Sequence, residues 1–181
     1  MTAPSIPSPP TDLPSLSLQE SQLTLPTFTA TTAWTLGNLL RDTLLPQPKP
    51  CVIHISLASH PVQTLFHIAL PGTTPDNEIW VARKAKTVRR FGCSTWYMHN
   101  KYDGNEVRFA EKNGLGDEAG SFAIHGGGWP VRVKGVEGVV GVIVVSGLAQ
   151  AEDHGVIVKV LREYLEGLGE QGEEGEKKKE D

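Results

Sequence analysis

Seven residues of this 181-residue chain combine side-chain chemistry with a spacing that can build a ligand site: Arg83, Lys84, His125, Gly126, Gly127, Gly128 and His154. In His125-Gly126-Gly127-Gly128 the glycines let backbone N–H groups close on an anion such as a carboxylate or phosphate. The imidazole can ligate iron or move a proton. The same run also suits a β-bulge or kink, with Trp129 refilling the core. Arg83, Lys86 and Arg90 share a helical stripe, either a carboxylate clamp or a solvated face. Lys84 is different, because it is centred on the apolar arc made by Trp80, Val81, Ala85, Val88 and Phe91. There it either snorkels along its neighbours or pairs with an acid at an inter-subunit surface. Asp153-His154 opens a helix, where a carboxylate is favoured and can cap. His154 then lies near the end of a sheet, as a ligand or as packing.

Other reactive residue types lack partners. Cys93-Ser94 has no His/Asp pair at a recognisable spacing, which argues against a Cys or Ser hydrolase. His54 and His67 fall on adjacent strands, but no third ligand type accompanies them. No catalytic residue and no metal ligand is assigned.

The elements that must position these residues follow from periodicity. A helix begins after Thr31-Thr32 and runs from Ala33 to about Leu45, with Leu36, Leu40 and Leu44 on one face and Pro46 and Pro48 ending it. Cys51–Ser59 and Gln63–Leu70 alternate as two strands of an antiparallel hairpin with one side facing the core. Thr74-Pro75 opens a second helix, with Asp76 and Glu78 in its first turn, Arg89 and Arg90 in its last, and Gly92 as its stop. Cys93–Tyr102 is partly helical, and Asp103–Gly120 is a polar loop. Phe122 begins a short strand that breaks at Gly126–Gly128 and resumes at Trp129. The chain reverses near Gly135–Gly138 and enters the apolar run Val139–Val145. A final helix spans about Glu152 to Leu165 and is closed by Gly167. The order α-ββ-α(α)-βββ-α gives an α+β fold, one domain over residues 21–166, with a five-stranded antiparallel sheet.

Composition removes several functional classes. The formal net charge is -4, but residues 167–181 carry -3 and residues 1–20 carry -2, so the body between them is about +1. A near-neutral body gives little footing for nucleic acid. The Pro/Ser-rich stretch 1–20 reads as a disordered arm and 167–181 as a disordered acidic and lysine-bearing tail. The first residues show no basic region followed by an apolar one, and no apolar run approaches the ~20 residues of a membrane span. Two cysteines, Cys51 and Cys93, make no disulfide framework, which favours a reduced, cytoplasmic setting.

Three motifs in order bring in a family. His125-Gly126-Gly127-Gly128-Trp129-Pro130-Val131, then Gly141-Val142-Ile143-Val144-Val145-Ser146-Gly147-Leu148, then Glu152-Asp153-His154 resemble the haem-degrading, GlcG-like (HbpS-like) domain family, in its cytosolic uncharacterised branch. Trp80–Lys84 with Thr87-Val88 and Phe91 is similar to that branch's second helix, and Phe28 through Gly37 to its first. The resemblance covers about residues 22–166 and implies a profilin-like α/β sandwich. It also implies self-assembly of dimers into larger oligomers, and haem or a related small anion as ligand. Two readings of function follow. One is a ligand-binding oligomer with its site at a subunit boundary, with haem degradation implied by the family name alone. The other is a non-enzymatic assembly or adaptor protein whose tails engage protein partners.

Overall fold

The computed structural model describes residues 5–177, with side chains up to residue 169. The ordered elements are α1 (Leu13–Gln22), α2 (Ala30–Leu44), β1 (Val52–Leu57), β2 (Thr64–Ala69), α3 (Pro75–Phe91), α4 (Thr95–Lys101) and α5 (Glu106–Lys112). A 3-10 turn (Gly116–Ser121), β3 (Gly128–Val131), β4 (Gly141–Ser146) and α6 (Gln150–Lys177) complete the described residues.

The strands form one antiparallel sheet in the order β2-β1-β4-β3. Alternation along β1 and β4 divides the side chains between two faces. Ile53, Ile55, Ile143 and Val145 turn toward α2 and α6, joining Leu36, Leu40, Leu44, Ile157 and Leu161 in the larger core. Val52, Val142 and Val144 turn toward α3 and meet Val81, Ala85 and Val88. Both faces of the β1–β2 hairpin are therefore covered where it meets the helices, rather than one. A third apolar cluster, with Met98, Tyr102, Phe109, Leu115, Phe122 and Ile124, lies under α4, α5 and the 3-10 turn.

Among the described residues the sheet has four strands, not the five expected. Phe122–Ile124 is buried but joins no ladder, because side chains of α3 take its backbone groups. The Ala123 N–H donates to Thr87 Oγ1 at 3.1 Å, and Arg83 Nε donates to the Phe122 carbonyl at 3.0 Å. The polar stretch 103–120 is not a plain loop either. Asn105 caps α5 by accepting the Arg108 N–H at 2.9 Å, as a short polar side chain at a helix start does.

The chain ends also depart from the sequence reading. Residues 13–20 of the stretch read as a disordered arm belong to α1, which is capped by Asp12 accepting from the Ser15 N–H at 2.9 Å. Leu16 is wholly buried, Trp96 Nε1 donates to the Pro10 carbonyl at 2.8 Å, and the Ser94 N–H donates to Glu20 Oε1 at 2.8 Å. Local composition concealed α1 because its support is tertiary. At the other end α6 continues through Gly167 to Lys177. A glycine costs a helix only about 1 kcal/mol relative to alanine, so it stops one only where the chain takes a left-handed cap, as Gly92 does at φ 67°. Residues 178–181 of the expected tail lie outside the described residues.

If α1 is part of the fold, Leu16→Ala should lower stability by about 2–4 kcal/mol, as for other wholly buried leucines. Urea denaturation of the full chain measures it, and a variant matching wild type would return residues 1–20 to the status of a dispensable arm.

Candidate functional site

The end of β4 and the first turns of α3 and α6 enclose a cleft of about 370 Å³, lined among others by Asn77, Trp80, Lys84, His125, Ser146 and Gln150. Its floor is an ion pair. Lys84 Nζ, on α3, donates to Asp153 Oδ2 at 2.9 Å and to the Val145 carbonyl at 3.1 Å. The two residues are 3 % and 2 % exposed. Asp153 also accepts the N–H groups of Leu148 at 3.0 Å and Gly147 at 3.3 Å, so it holds the entry to α6 as well as the lysine. Burial raises its pKa above the usual carboxylate value, against the pull of Lys84 and these two N–H groups. The apolar arc around Lys84 leads its stem between α3 and the sheet to an acid of the same chain, where the sequence allows either snorkelling or an acid across a subunit surface.

The glycines serve this pair. A Cβ on Gly127 would stand 2.2 Å from the Val145 carbonyl and 2.8 Å from Lys84 Nζ, and its φ of 111° disfavours any side chain. Gly126 passes against the Gln150 carbonyl, where a Cβ would come within 2.2 Å. Gly128 opens β3 against Val88 and Thr95, and its N–H donates to Thr95 Oγ1 at 2.8 Å. None of the three lines the cleft.

His125 does line it. Its ring stands edge-on to Trp80 at 4.9 Å between centroids, and Arg83 lies over the indole at 4.4 Å. Trp80 Nε1 donates to Asp76 Oδ2 at 3.1 Å. His125 Nδ1 is 3.3 Å from Glu106 Oε1, out of hydrogen-bond alignment, and Arg83 Nη2 is 3.6 Å from the same oxygen. Both the nitrogen and the oxygen are shielded from solvent without a hydrogen bond. Glu106 sits in the stretch read as a loop and was not singled out from sequence, nor were Asn77, Trp80 or Gln150 as wall residues. The asparagine cap at Asn105 is the local signal that could have placed Glu106 in a helix.

The remaining candidates separate. Arg83, Lys86 and Arg90 are bonded within the chain, although Arg90 is exposed and Lys86 half-exposed. Lys86 Nζ donates to Glu118 and Ser121 at 2.8 and 2.6 Å, and Arg90 Nη2 to the Asn113 carbonyl at 3.1 Å, so with Arg83 they fasten the 103–121 stretch onto α3. His154 lies away from the cleft. It is wholly buried beside Trp129 and Trp96, with ring centroids 5.5 and 6.3 Å away. Its Nε2–H donates to Gln19 Oε1 at 3.0 Å, while Nδ1 has no partner. Burial pulls its pKa down to about 3. Cys51 and Cys93 are thiols whose pKa burial pushes up to about 12, which suits packing and not nucleophilic attack.

Removing one member of the buried pair leaves the other uncompensated, so Lys84→Met should cost about 3–5 kcal/mol, and Lys84→Met with Asp153→Leu no more than either change alone. Urea denaturation of the two single variants and the double one tests this; additive losses would show that no such coupling exists. For His154, the folded-state value lies below the ordinary 6.5, so its stabilisation is complete above pH 6.5 and is lost as pH falls toward 3. Between pH 6.5 and 5 that amounts to roughly 2 kcal/mol. Denaturation of His154→Leu at both values should show a shallower loss on acidification than wild type, and an unchanged loss would mean that His154 is already protonated in the fold.

Residues 28–162 match the family model described as "Haem degrading protein HbpS-like". A UPF0303 protein of Streptomyces avermitilis is 41% identical over 157 residues, covering 87% of this chain and 92% of the relative. One of Sinorhizobium medicae is 42% identical over 154 residues, covering 85% and 90%. Among solved structures, the crystal structure of Ybr137w protein has a TM-score of 0.78 at 32% identity, over 87% of this chain and 90% of that one. The crystal structure of HbpS shares the fold, with a TM-score of 0.57 at 20% identity over 80% of this chain and 95% of that one. The resemblance carried by the His125–Val131, Gly141–Leu148 and Glu152–His154 motifs is thus borne out, and the chain belongs to the HbpS-like family, alongside the UPF0303 proteins.

Proposed function

We infer that this HbpS-like chain is a cytoplasmic, oligomeric binding protein that takes a compact anionic ligand in the cleft over Lys84 and Asp153, at or near a subunit boundary. The observation that carries the reading is the His125 imidazole on the wall of that cleft. Two helix starts reinforce it. Asn77, near the N-terminus of α3, and Leu148 and Gln150, at the entry to α6, line the same space, and helix N-termini favour anions. The volume lies toward the small end of the ~300–1,000 Å³ of small-molecule sites.

Haem requires an axial ligand and an apolar slot for the macrocycle. His125 is the only histidine on this cleft among the described residues, and Glu106 stands at its Nδ1. Lys84 is committed to Asp153 and Arg83 to Phe122 and Trp80, so neither is free to hold a propionate. These residues do not fit a haem enclosed by one chain; a porphyrin would need walls from a second copy.

Exposed apolar residues support assembly. Trp34 is 64% exposed and packs edge-on against Phe66 of the edge strand β2, and Ile79, beside Trp80, is 59% exposed. Exposed residues of this kind, here on helices that cover opposite faces of the sheet, equally favour the second reading, an assembly or adaptor protein that acts through protein contacts. Both readings place large apolar side chains at an interface.

Thermal-shift titrations with inorganic phosphate and a series of mono- and dicarboxylates test the ligand. A bound anion at 100 times its Kd should stabilise the fold by about 2.7 kcal/mol, and His125→Ala and Gln150→Ala should each remove the effect. A saturable Soret change with hemin that His125→Ala abolishes would replace the compact anion with haem. Light scattering on the same samples should give a mass above the monomer that Trp34→Lys reduces. An oligomer that responds to no probe would leave the adaptor reading.

A further inference from the structure

A second site lies on the α3 face of the hairpin, and it stands apart from the cleft and from the reading above. His54 of β1 and His67 of β2 are direct cross-strand partners, so their side chains leave the sheet on the same face. Their Nδ1 atoms face each other at 3.1 Å. The other nitrogen of His67, Nε2, stands 3.0 Å from Glu78 Oε1 in the first turn of α3. A recess of about 360 Å³ opens there, with Thr64 and Arg89 on its wall.

The separation of this pair, that of an inter-ring hydrogen bond, also matches two imidazoles on one ion. With metal–imidazole bonds of about 2.0–2.1 Å, nitrogens in neighbouring coordination positions stand about 2.9 Å apart in an octahedron and about 3.3 Å apart in a tetrahedron. The observed separation falls between these values. Glu78 supplies what a ligating histidine ordinarily needs. A carboxylate accepting from Nε2–H fixes the tautomer, orients the ring and turns the Nδ1 lone pair toward His54, from whose Nδ1–H it accepts in the ion-free protein.

We propose that His54 Nδ1 and His67 Nδ1 bind a divalent transition-metal ion of the imidazole-preferring kind, Zn²⁺, Ni²⁺ or Cu²⁺, with Glu78 orienting His67. On binding, the hydrogen bond between the two rings gives way to two metal–nitrogen bonds, and the remaining ring proton of His54 resides on Nε2. Among the described residues no group of three His, Cys, Asp or Glu side chains is placed to hold a metal, so water completes the coordination. Arg89 lines the same recess and donates through Nη2 to Ser56 Oγ at 2.9 Å. Its charge opposes a dication, which restricts the site to ions with strong bonds to imidazole and excludes Mg²⁺ and Ca²⁺.

Calorimetric titration of the full chain with Zn²⁺ and Ni²⁺ at neutral pH should give one ion per chain and no response to Mg²⁺. His67→Ala, on the edge strand, should abolish binding, and Glu78→Gln should weaken it ~10-fold. His60→Ala and His99→Ala should leave it unchanged. If circular dichroism shows that His67→Ala does not fold, the half-exposed Glu78 carries the test. Absence of binding, binding that survives His67→Ala in a folded protein, Glu78→Gln indistinguishable from wild type, or loss in either control would each overturn the proposal.

Discussion

The ion pair between Lys84 and Asp153 is the constraint on which the upper end of this fold depends. It joins α3, on one face of the sheet, to the start of α6, on the other, around the end of β4. Two charges removed from water are stable only when each finds enough partners. Here Lys84 has the Val145 carbonyl as well as the carboxylate, and Asp153 has two backbone N–H groups. Those requirements decide the surroundings. The chain must cross directly over the pair, where a side chain at Gly127 would strike both Lys84 Nζ and the Val145 carbonyl. The loop at Gly147-Leu148 must present its N–H groups to Asp153 before α6 can begin.

A second constraint acts from the opposite side of α6. His154 follows Asp153 in sequence but points away from it, into a wholly buried place between two tryptophans. An imidazole there is held neutral, and its single hydrogen-bond partner, Gln19, comes from α1. Adjacent residues at the head of α6 thus anchor the α3 layer and the N-terminal segment respectively. The arm is drawn into the fold by polar groups as much as by Leu16: Glu20 accepts from Ser94, and Pro10 from Trp96. Burial raises the pKa of Glu20 above the usual carboxylate value.

The cleft above the ion pair and the histidine pair on the hairpin share one element, α3. Lys84 and Trp80 serve the cleft, Glu78 faces His67, and Arg83, Lys86 and Arg90 fasten the α5 segment that supplies Glu106. A helix of 17 residues has enough circumference for all of these tasks while Val81, Ala85 and Val88 remain in the core. The basic residues that look solvated in projection are mostly occupied in holding another part of the same chain.

The sequence by itself determined what local chemistry and short period can encode. It placed the hairpin, α3 with its charge pattern and its glycine stop, the apolar run of β4, the α+β class and the family, because alternation, helix capping and ordered motifs are written in consecutive residues. It also marked Lys84 as out of place on an apolar arc and His54 with His67 as neighbours. Only the tertiary structure decided the partners. Asp153 lies 69 residues from Lys84, Gln19 lies 135 from His154, and the Thr87 hydroxyl that keeps Phe122–Ile124 out of the sheet comes from another element. A buried polar group specifies that it must be satisfied, not by which residue. That choice is made when the layers pack, so burial turned a suspected interface lysine into an internal brace and a suspected ligand, His154, into a core residue.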